Sequence, residues 1–338
     1  MGGSSFRNIW GQLFPPSPTF TEHDVSSQVG RVFIVTGGNS GIGFQLCKLL
    51  YGNGATIYMA CRSEDRAADA IKAIEAETPI DAVGGRLKFL RLDLSDLHSV
   101  KKAAATFAEQ EHKLDILWNN AGLGPYRVQA GARTSQNLEM FIGTHCVAAQ
   151  LFTTLLLPQL KAAVAEDLHM SRHGFARVIW TSSIAADDTP HNGIEFDRLD
   201  SGTNDRIRDY GVSKFGNWLL GCEFARRHGS DGIISVTLNP GNAKAGTSEG
   251  MPFLGLLVLK MIMHEPRLAA YTQLYAGLSK DITMEQNGAY ILPWGRIRTA
   301  SDGIRKDLLE ALTSQNDGGL GYGEKFWNWC ESQWRPFV

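Results

Sequence analysis

Residues Arg31–Gly43 read RVFIVTGGNSGIG, and this stretch decides the fold. Val32–Val35 is a run of β-branched and aromatic residues, the pattern of a buried strand. The run ends at Thr36, glycines fall at Gly37, Gly41 and Gly43, and a helical pattern follows from Phe44 to Tyr51. Glycine permits positive φ and lets a phosphate or a second backbone approach where a Cβ would collide. A strand, a Gly-rich turn and a helix N-terminus together offer N–H groups and a positive dipole end to a pyrophosphate. A glycine triplet alone is a weak signal. Here both flanks are present, which is the context a dinucleotide site requires. An ordinary tight strand–helix turn is the competing reading.

Outward from this stretch, strand and helix patterns alternate. Strands are predicted at Thr56–Cys61, Leu87–Leu92, Leu114–Trp118, Arg177–Trp180 and Ile233–Leu238. Helices are predicted at Arg66–Glu77, Val100–Glu109, Met140–Leu160 and Tyr210–Arg227. Such alternation implies an α/β fold with a doubly wound parallel sheet covered on both faces, and ligands at the carboxyl ends of its strands. One domain over 30–300 is expected, with an N-terminal extension at 1–29 and a C-terminal extension at 301–338. Pro15, Pro16 and Pro18 argue against regular structure in the first extension, and Trp10, Phe14 and Phe20 are expected to pack it onto the domain. The polar connection Ala185–Asp209 is unusually long, and such loops are often functional.

Composition narrows the class. The 338 residues are 43% hydrophobic and 20% charged, as in a globular protein, and 33 basic against 35 acidic residues give no nucleic-acid footprint. Cys47, Cys61, Cys146, Cys222 and Cys330 show no metal-ligand spacing, so no metal is expected and a reducing compartment is. The N-terminus has no secretory pattern, and Phe6 stands where a myristoylation signal needs Ser or Thr. The most apolar run, residues 251–263, is too short to span a bilayer and carries Lys260. A cytoplasmic protein without stable membrane insertion is the expectation.

Two further motifs sharpen the reading. NNAG occupies Asn119–Gly122, and YGVSK occupies Tyr210–Lys214. With the G-x-x-x-G-x-G spacing they resemble, in order, the motifs of the short-chain dehydrogenase/reductase family, over about residues 30–295. AYILPWGRIR at 289–298 and the later GEKFWNWCESQW resemble a fungal, retinol-dehydrogenase-like branch of carbonyl reductases, found with secondary-metabolite or steroid-like substrates. Trp327, Trp329 and Trp334 of that tail would dock a C-terminal helix, or help close the substrate end.

The resemblance implies cofactor contacts at Gly37, Asn39, Ser40, Gly41, Ile42 and Gly43, at Asp93 and Leu94 by the adenine, and at Asn120, Ala121 and Gly122 by the nicotinamide ribose. Tyr210, Lys214, Pro240, Gly241 and Thr247 complete the set. Thr247 would stand in for a threonine that the family has near Ala245. Arg62 ends the second strand where no carboxylate is present, and a guanidinium suits a 2′-phosphate, so NADP(H) is favoured over NADH.

Tyr210 and Lys214 are four apart on a helix and so share a face, which lets an ammonium lower the phenol's pKa. In the family a serine after the fifth strand hydrogen-bonds the reacting oxygen. Ser183 is the better match here and Ser182 the fallback. His145 stands where the family usually has an asparagine whose backbone carbonyl helps hold a water-linked proton route. The expected activity is NADP-dependent hydride transfer between NADPH and a carbonyl or secondary alcohol of a fairly apolar small molecule, with a substrate lid at about 245–276. The rivals are a non-catalytic, redox-sensing NADPH-binding protein, or a dehydratase or epimerase on the same fold. A homodimer is left open.

Overall fold

The computed structural model describes residues 6–77, 84–169, 176–244 and 262–338. Thr247, Ala245 and the first part of the expected lid lie outside them. The centre of the fold is an eight-stranded sheet: β1 (Val32–Thr36), β2 (Thr56–Cys61), β3 (Arg86–Arg91), β4 (Ile116–Asn119), β5 (Ala176–Thr181), β6 (Ile233–Leu238), β7 (Tyr290–Leu292) and β8 (Arg296–Ile297). Their spatial order is β3-β2-β1-β4-β5-β6-β7-β8, parallel until the antiparallel last pair. Strand order reverses between β1 and β4, and at such a switch point the loops diverge to leave a crevice.

Alternation explains the two layers. Val32 and Ile34 point into one apolar cluster, Phe33 and Val35 into the other, and all four are buried. On the second face lie α2 (Gly41–Tyr51) and α3 (Glu64–Glu77). The first face carries α4 (Leu97–Gln110) and the helices between Met140 and His169.

The long helix expected at Met140–Leu160 is not continuous. A short α-turn at Met140–Ile142 passes into a π-helical turn at Gly143–Val147, then α-helix over Ala148–Leu155 and Leu157–His169. Pro158 cannot donate to the helical ladder, and the axis bends by 51° beside it. The catalytic-motif helix runs from Arg206 to His228 and is capped by Asp205, whose carboxylate accepts from Ile207 and Arg208 N–H.

Three expectations need correction. First, Phe6–Leu13 is helical, because Pro15, Pro16 and Pro18 follow the helix and terminate it. Trp10 and Phe14 are exposed and meet each other at 4.5 Å, while Phe20 packs edge-on to Tyr275. Second, where six strands are predicted the described residues hold eight: β7 and β8 come from the 289–298 motif. Strands of three and two residues show no period, and their turn is marked only by Trp294 (φ 68) and Gly295 (φ 91). Third, the later part of the expected lid is core: Pro266–Leu278 forms a helix whose residues 269–277 are buried under the sheet.

The C-terminal helix Tyr322–Trp334 lies on Arg206–His228, with Trp327 and Trp334 buried. Gln150 donates to the Trp327 carbonyl at 3.0 Å and accepts from Trp334 Nε1 at 2.8 Å. None of the three tryptophans lines the cleft. Among the described residues no single helix is long and apolar enough to cross a membrane.

Candidate active site

A cleft of about 1660 Å³ opens at the carboxyl ends of β1, β4, β5 and β6. Gly37, Asn39, Ser40, Gly41, Ile42, Gly43, Arg62, Asp93, Leu94, Asn120, Ala121, Gly122, His145, Ser183, Tyr210, Lys214, Pro240 and Gly241 all line it. Ser182 lines it as well, while Thr247 lies outside the described residues.

At one end the glycine turn leads into α2. Ser40 occupies the N-cap position but makes no side-chain cap, so its hydroxyl does not cover the helix N-terminus. A Cβ at Gly43 would stand 2.4 Å from the Gly37 carbonyl oxygen and 2.7 Å from Asn120 Nδ2, so only glycine lets the turn close this tightly. Asn120 Nδ2 donates to the Thr36 carbonyl at 2.9 Å, tying β4's end to β1's. Arg62 and Arg66 both line the cleft beside the end of β2, and Asp93 is the only carboxylate among the described lining residues. That balance, with the uncapped helix terminus, fits a cofactor bearing a pyrophosphate and a further phosphate. One Asp93 oxygen is already engaged, accepting from Ser95 N–H and Oγ.

At the other end the catalytic candidates converge. Ser182 Oγ donates to the Lys214 carbonyl at 2.8 Å, and this structural bond leaves Ser183 as the serine within hydrogen-bonding reach of the Tyr210 hydroxyl. Lys214 Nζ donates to the Thr181 carbonyl at 3.0 Å, 5.6 Å from the Tyr210 ring centroid. Burial dominates both groups. It raises the Tyr210 pKa, against a lesser pull from Ser183, and lowers Lys214 to about 8. The expected lowering of Tyr210 by Lys214 is therefore not present in the protein by itself. Tyr210 is a protonated phenol at neutral pH, the form a proton donor needs.

His145 sits within the π-helical turn, a feature frequent at functional sites. Ser213 Oγ donates to the Tyr210 carbonyl at 2.7 Å and so accepts from His145 Nδ1, 2.9 Å away. Leu123 N–H donates to His145 Nε2 at 2.8 Å. These bonds fix the neutral Nδ1–H tautomer, and burial, with Lys214 nearby, holds the pKa well below 6.5. The imidazole thus connects the Gly122–Leu123 turn to the catalytic helix.

These two bonds give the His145 side chain a structural role of its own, beside whatever its backbone carbonyl holds. His145→Asn should cost about 1–3 kcal/mol through the unpaired Leu123 N–H. It should add or remove no limb near neutral pH in kcat/KM, because the group does not titrate there. Thermal unfolding and a pH–rate profile check both statements. A limb lost in the variant would make the imidazole a proton carrier.

Several site residues were not singled out in the sequence. Arg66 lies in the first turn of the helix that follows Arg62, and its place just after the end of β2 could have flagged it. Gln273 had no such signal. From the buried helix Pro266–Leu278 it donates to Thr181 Oγ1 at 2.9 Å and to Asn120 Oδ1 at 3.2 Å, bracing β5 against β4 beneath the site. Among the described residues no group of three His, Cys, Asp or Glu side chains is placed to hold a metal ion.

A switch-point cleft with a glycine turn at one end and a Ser–Tyr–Lys set at the other defines a Rossmann-type dinucleotide-dependent enzyme. The profile of the short chain dehydrogenase family matches residues 31–196. A short-chain dehydrogenase/reductase of Pestalotiopsis fici, iacJ, is 44% identical over 99% of this chain and 100% of its own. Another, from Phomopsis amygdali, is 40% identical over 99% of this chain and 98% of its own. The chain belongs to the short-chain dehydrogenase/reductase family, whose members are oxidoreductases. The crystal structure of NADPH-bound carbonyl reductase from chicken fatty liver shares the fold, with a TM-score of 0.58 at 22% identity over 80% of this chain and 99% of that one.

Proposed function

We propose that the protein is an NADP(H)-dependent reductase converting a ketone or aldehyde on a fairly apolar small molecule into an alcohol. The observation that carries this reading is the convergence of Ser183, protonated Tyr210 and Lys214 at one end of a cleft whose other end is cationic. The Gly37–Gly43 turn, Asn120 to Gly122, Pro240 and Gly241 would hold the cofactor, with Arg62 and Arg66 on its 2′-phosphate. Bound NADPH supplies the hydride. Ser183 Oγ donates a hydrogen bond to the carbonyl oxygen, and Tyr210 delivers the proton as charge develops there. Lys214 stands ready to restore that proton. Leu123, Val128, Ala132, Met140, Ala243 and Met263 give the substrate end its apolar share. A place in secondary metabolism belongs to the same proposal and follows from the fungal branch that the C-terminal motifs resemble.

The chicken carbonyl reductase, crystallised with NADPH, supports the cofactor reading by analogy of fold. The test is a panel of aldehydes and ketones assayed for consumption of NADPH and of NADH, with both affinities taken from tryptophan fluorescence. NADPH should bind at least about tenfold tighter, roughly 1.4 kcal/mol. Arg62→Ala should remove most of that margin. Equal affinities in wild type, or an unchanged preference in the variant, would overturn the 2′-phosphate assignment.

The reaction's pH dependence has a defined sign. Lys214 carries a depressed pKa of about 8, so its ammonium is present below that pH and lost above it. Reductive kcat/KM should therefore fall through an alkaline limb at or above about pH 8, and Lys214→Arg should move the limb upward, since guanidinium does not lose its proton there. A flat profile from about pH 7 to 10 contradicts Lys214 as the group that restores the proton.

A further inference from the structure

Over the second half of the N-terminal helix α1 (Phe6–Leu13) the usual polarity is reversed. Ile9, Trp10 and Phe14 at its end are exposed, while Gln12 is 2% exposed. Burying an amide is costly unless its groups are paired. Gln12 Nε2 donates to Asp187 Oδ2 at 3.0 Å, and Gln12 Oε1 accepts from Asn239 Nδ2 at 2.8 Å. The end of the helix is held from the domain as well. Arg296 donates to the Gly11 carbonyl at 2.7 Å, and His264 Nε2 to the Leu13 carbonyl at 2.9 Å.

The two partners of that amide are the ends of two functional loops. Asp187 closes the 3₁₀ turn Ile184–Asp187, which begins at Ser183, whose hydroxyl accepts from Ala185 N–H. Asp187 is also paired in bidentate fashion with Arg298, at 2.9 and 3.1 Å. The Arg298 guanidinium lies 5.3 Å from the ring centroids of Trp218 and Tyr290, and Tyr290 donates to the Ser183 carbonyl at 3.3 Å. Asn239 follows β6, and its Oδ1 accepts from Gly241 N–H at 3.0 Å, shaping the Pro240–Gly241 turn of the cofactor cleft.

From this geometry we infer that Gln12 is a positioning residue: its amide sets the spacing between the Ser183 turn and the Asn239–Gly241 turn, so the N-terminal helix is part of the catalytic framework. The assignment of reductase chemistry to Ser183 rests on the reading above, but the coupling of the two turns does not. A primary amide is needed because one partner requires a donor and the other an acceptor. Methionine matches the length without either. A glutamate at this position can meet both needs only when protonated, since its carboxylate has no proton to donate to Asp187.

The test uses full-length wild type, Gln12→Met and Gln12→Glu. Amide hydrogen exchange followed by mass spectrometry should be about tenfold or more faster over 184–188 and 239–243 in Gln12→Met, with exchange in β1 and β5 unchanged. NADPH affinity should weaken several-fold, and kcat should fall about tenfold, with the smaller change in KM for the carbonyl. In Gln12→Glu, kcat should recover as the pH is lowered through the range of a buried carboxyl, which the wild type does not show. A purely structural plug would not produce that pH-dependent rescue. Wild-type exchange at both turns in a folded Gln12→Met overturns the inference. So does a Gln12→Glu pH profile parallel to wild type, which remains readable should Gln12→Met not fold. Should wild type reduce no carbonyl at all, the functional reading fails, while exchange and NADPH affinity still decide the role of Gln12.

Discussion

Tyr210→Phe is expected to lower kcat/KM for the carbonyl substrate by about 10²–10⁴-fold, the span associated with losing one positioned acid. The substitution removes only the hydroxyl oxygen. The ring keeps its edge contacts with Phe141 at 5.9 Å and with His145 at 5.9 Å, so the fold and the NADPH affinity should be unchanged. Burial keeps the wild-type phenol protonated at neutral pH, and among the described residues Tyr210 is the tyrosine that lines the cleft. Steady-state kinetics beside an NADPH titration separate chemistry from binding. A variant that turns over at the wild-type rate would remove Tyr210 from the reaction.

The largest effect on stability is expected at Arg298→Met. The Arg298 side chain is 1% exposed and that of Asp187 is 7% exposed, so both charges are out of water and rely on each other. Removing one partner of a buried pair leaves the other uncompensated, at a cost of about 3–5 kcal/mol. For a protein of this length that corresponds to a fall of roughly 4–7 °C in Tm. Adding Asp187→Asn to the variant should restore part of the loss, because an uncharged amide needs no counter-ion. A double variant no more stable than Arg298→Met alone would show that packing against Trp218 and Tyr290, rather than the ion pair, carries the contribution.

What the sequence reveals and what it hides have physical reasons. The strand at Val32–Thr36, the glycine turn and the helix after it are encoded locally, in a period of two followed by a period near four. The sequence alone therefore suffices to locate this end of the cleft. Tyr210 and Lys214 are legible for the same reason, being neighbours on one helical face. The bracing around them is not. Gln12 meets Asp187 across 175 positions and Asn239 across 227, and no window of sequence carries such a pairing. The π-helical turn at Gly143–Val147 is hidden because its residues continue the surrounding helical pattern. Likewise the depressed Lys214 and the neutral His145 are products of burial, which side-chain identity does not contain.

The proposed reaction is hydride transfer to a carbonyl with Tyr210 as the acid. Its most direct test is to incubate purified protein with NADPH deuterated at the transferring position of the nicotinamide and with each member of the carbonyl panel, and to weigh the products. The expected product is an alcohol one mass unit heavier than that formed with unlabelled NADPH, with the deuterium on the carbinol carbon, made by wild type and nearly absent with Tyr210→Phe. Tight NADPH binding with no labelled alcohol from any ketone or aldehyde would contradict it and favour a protein that binds the cofactor without using it.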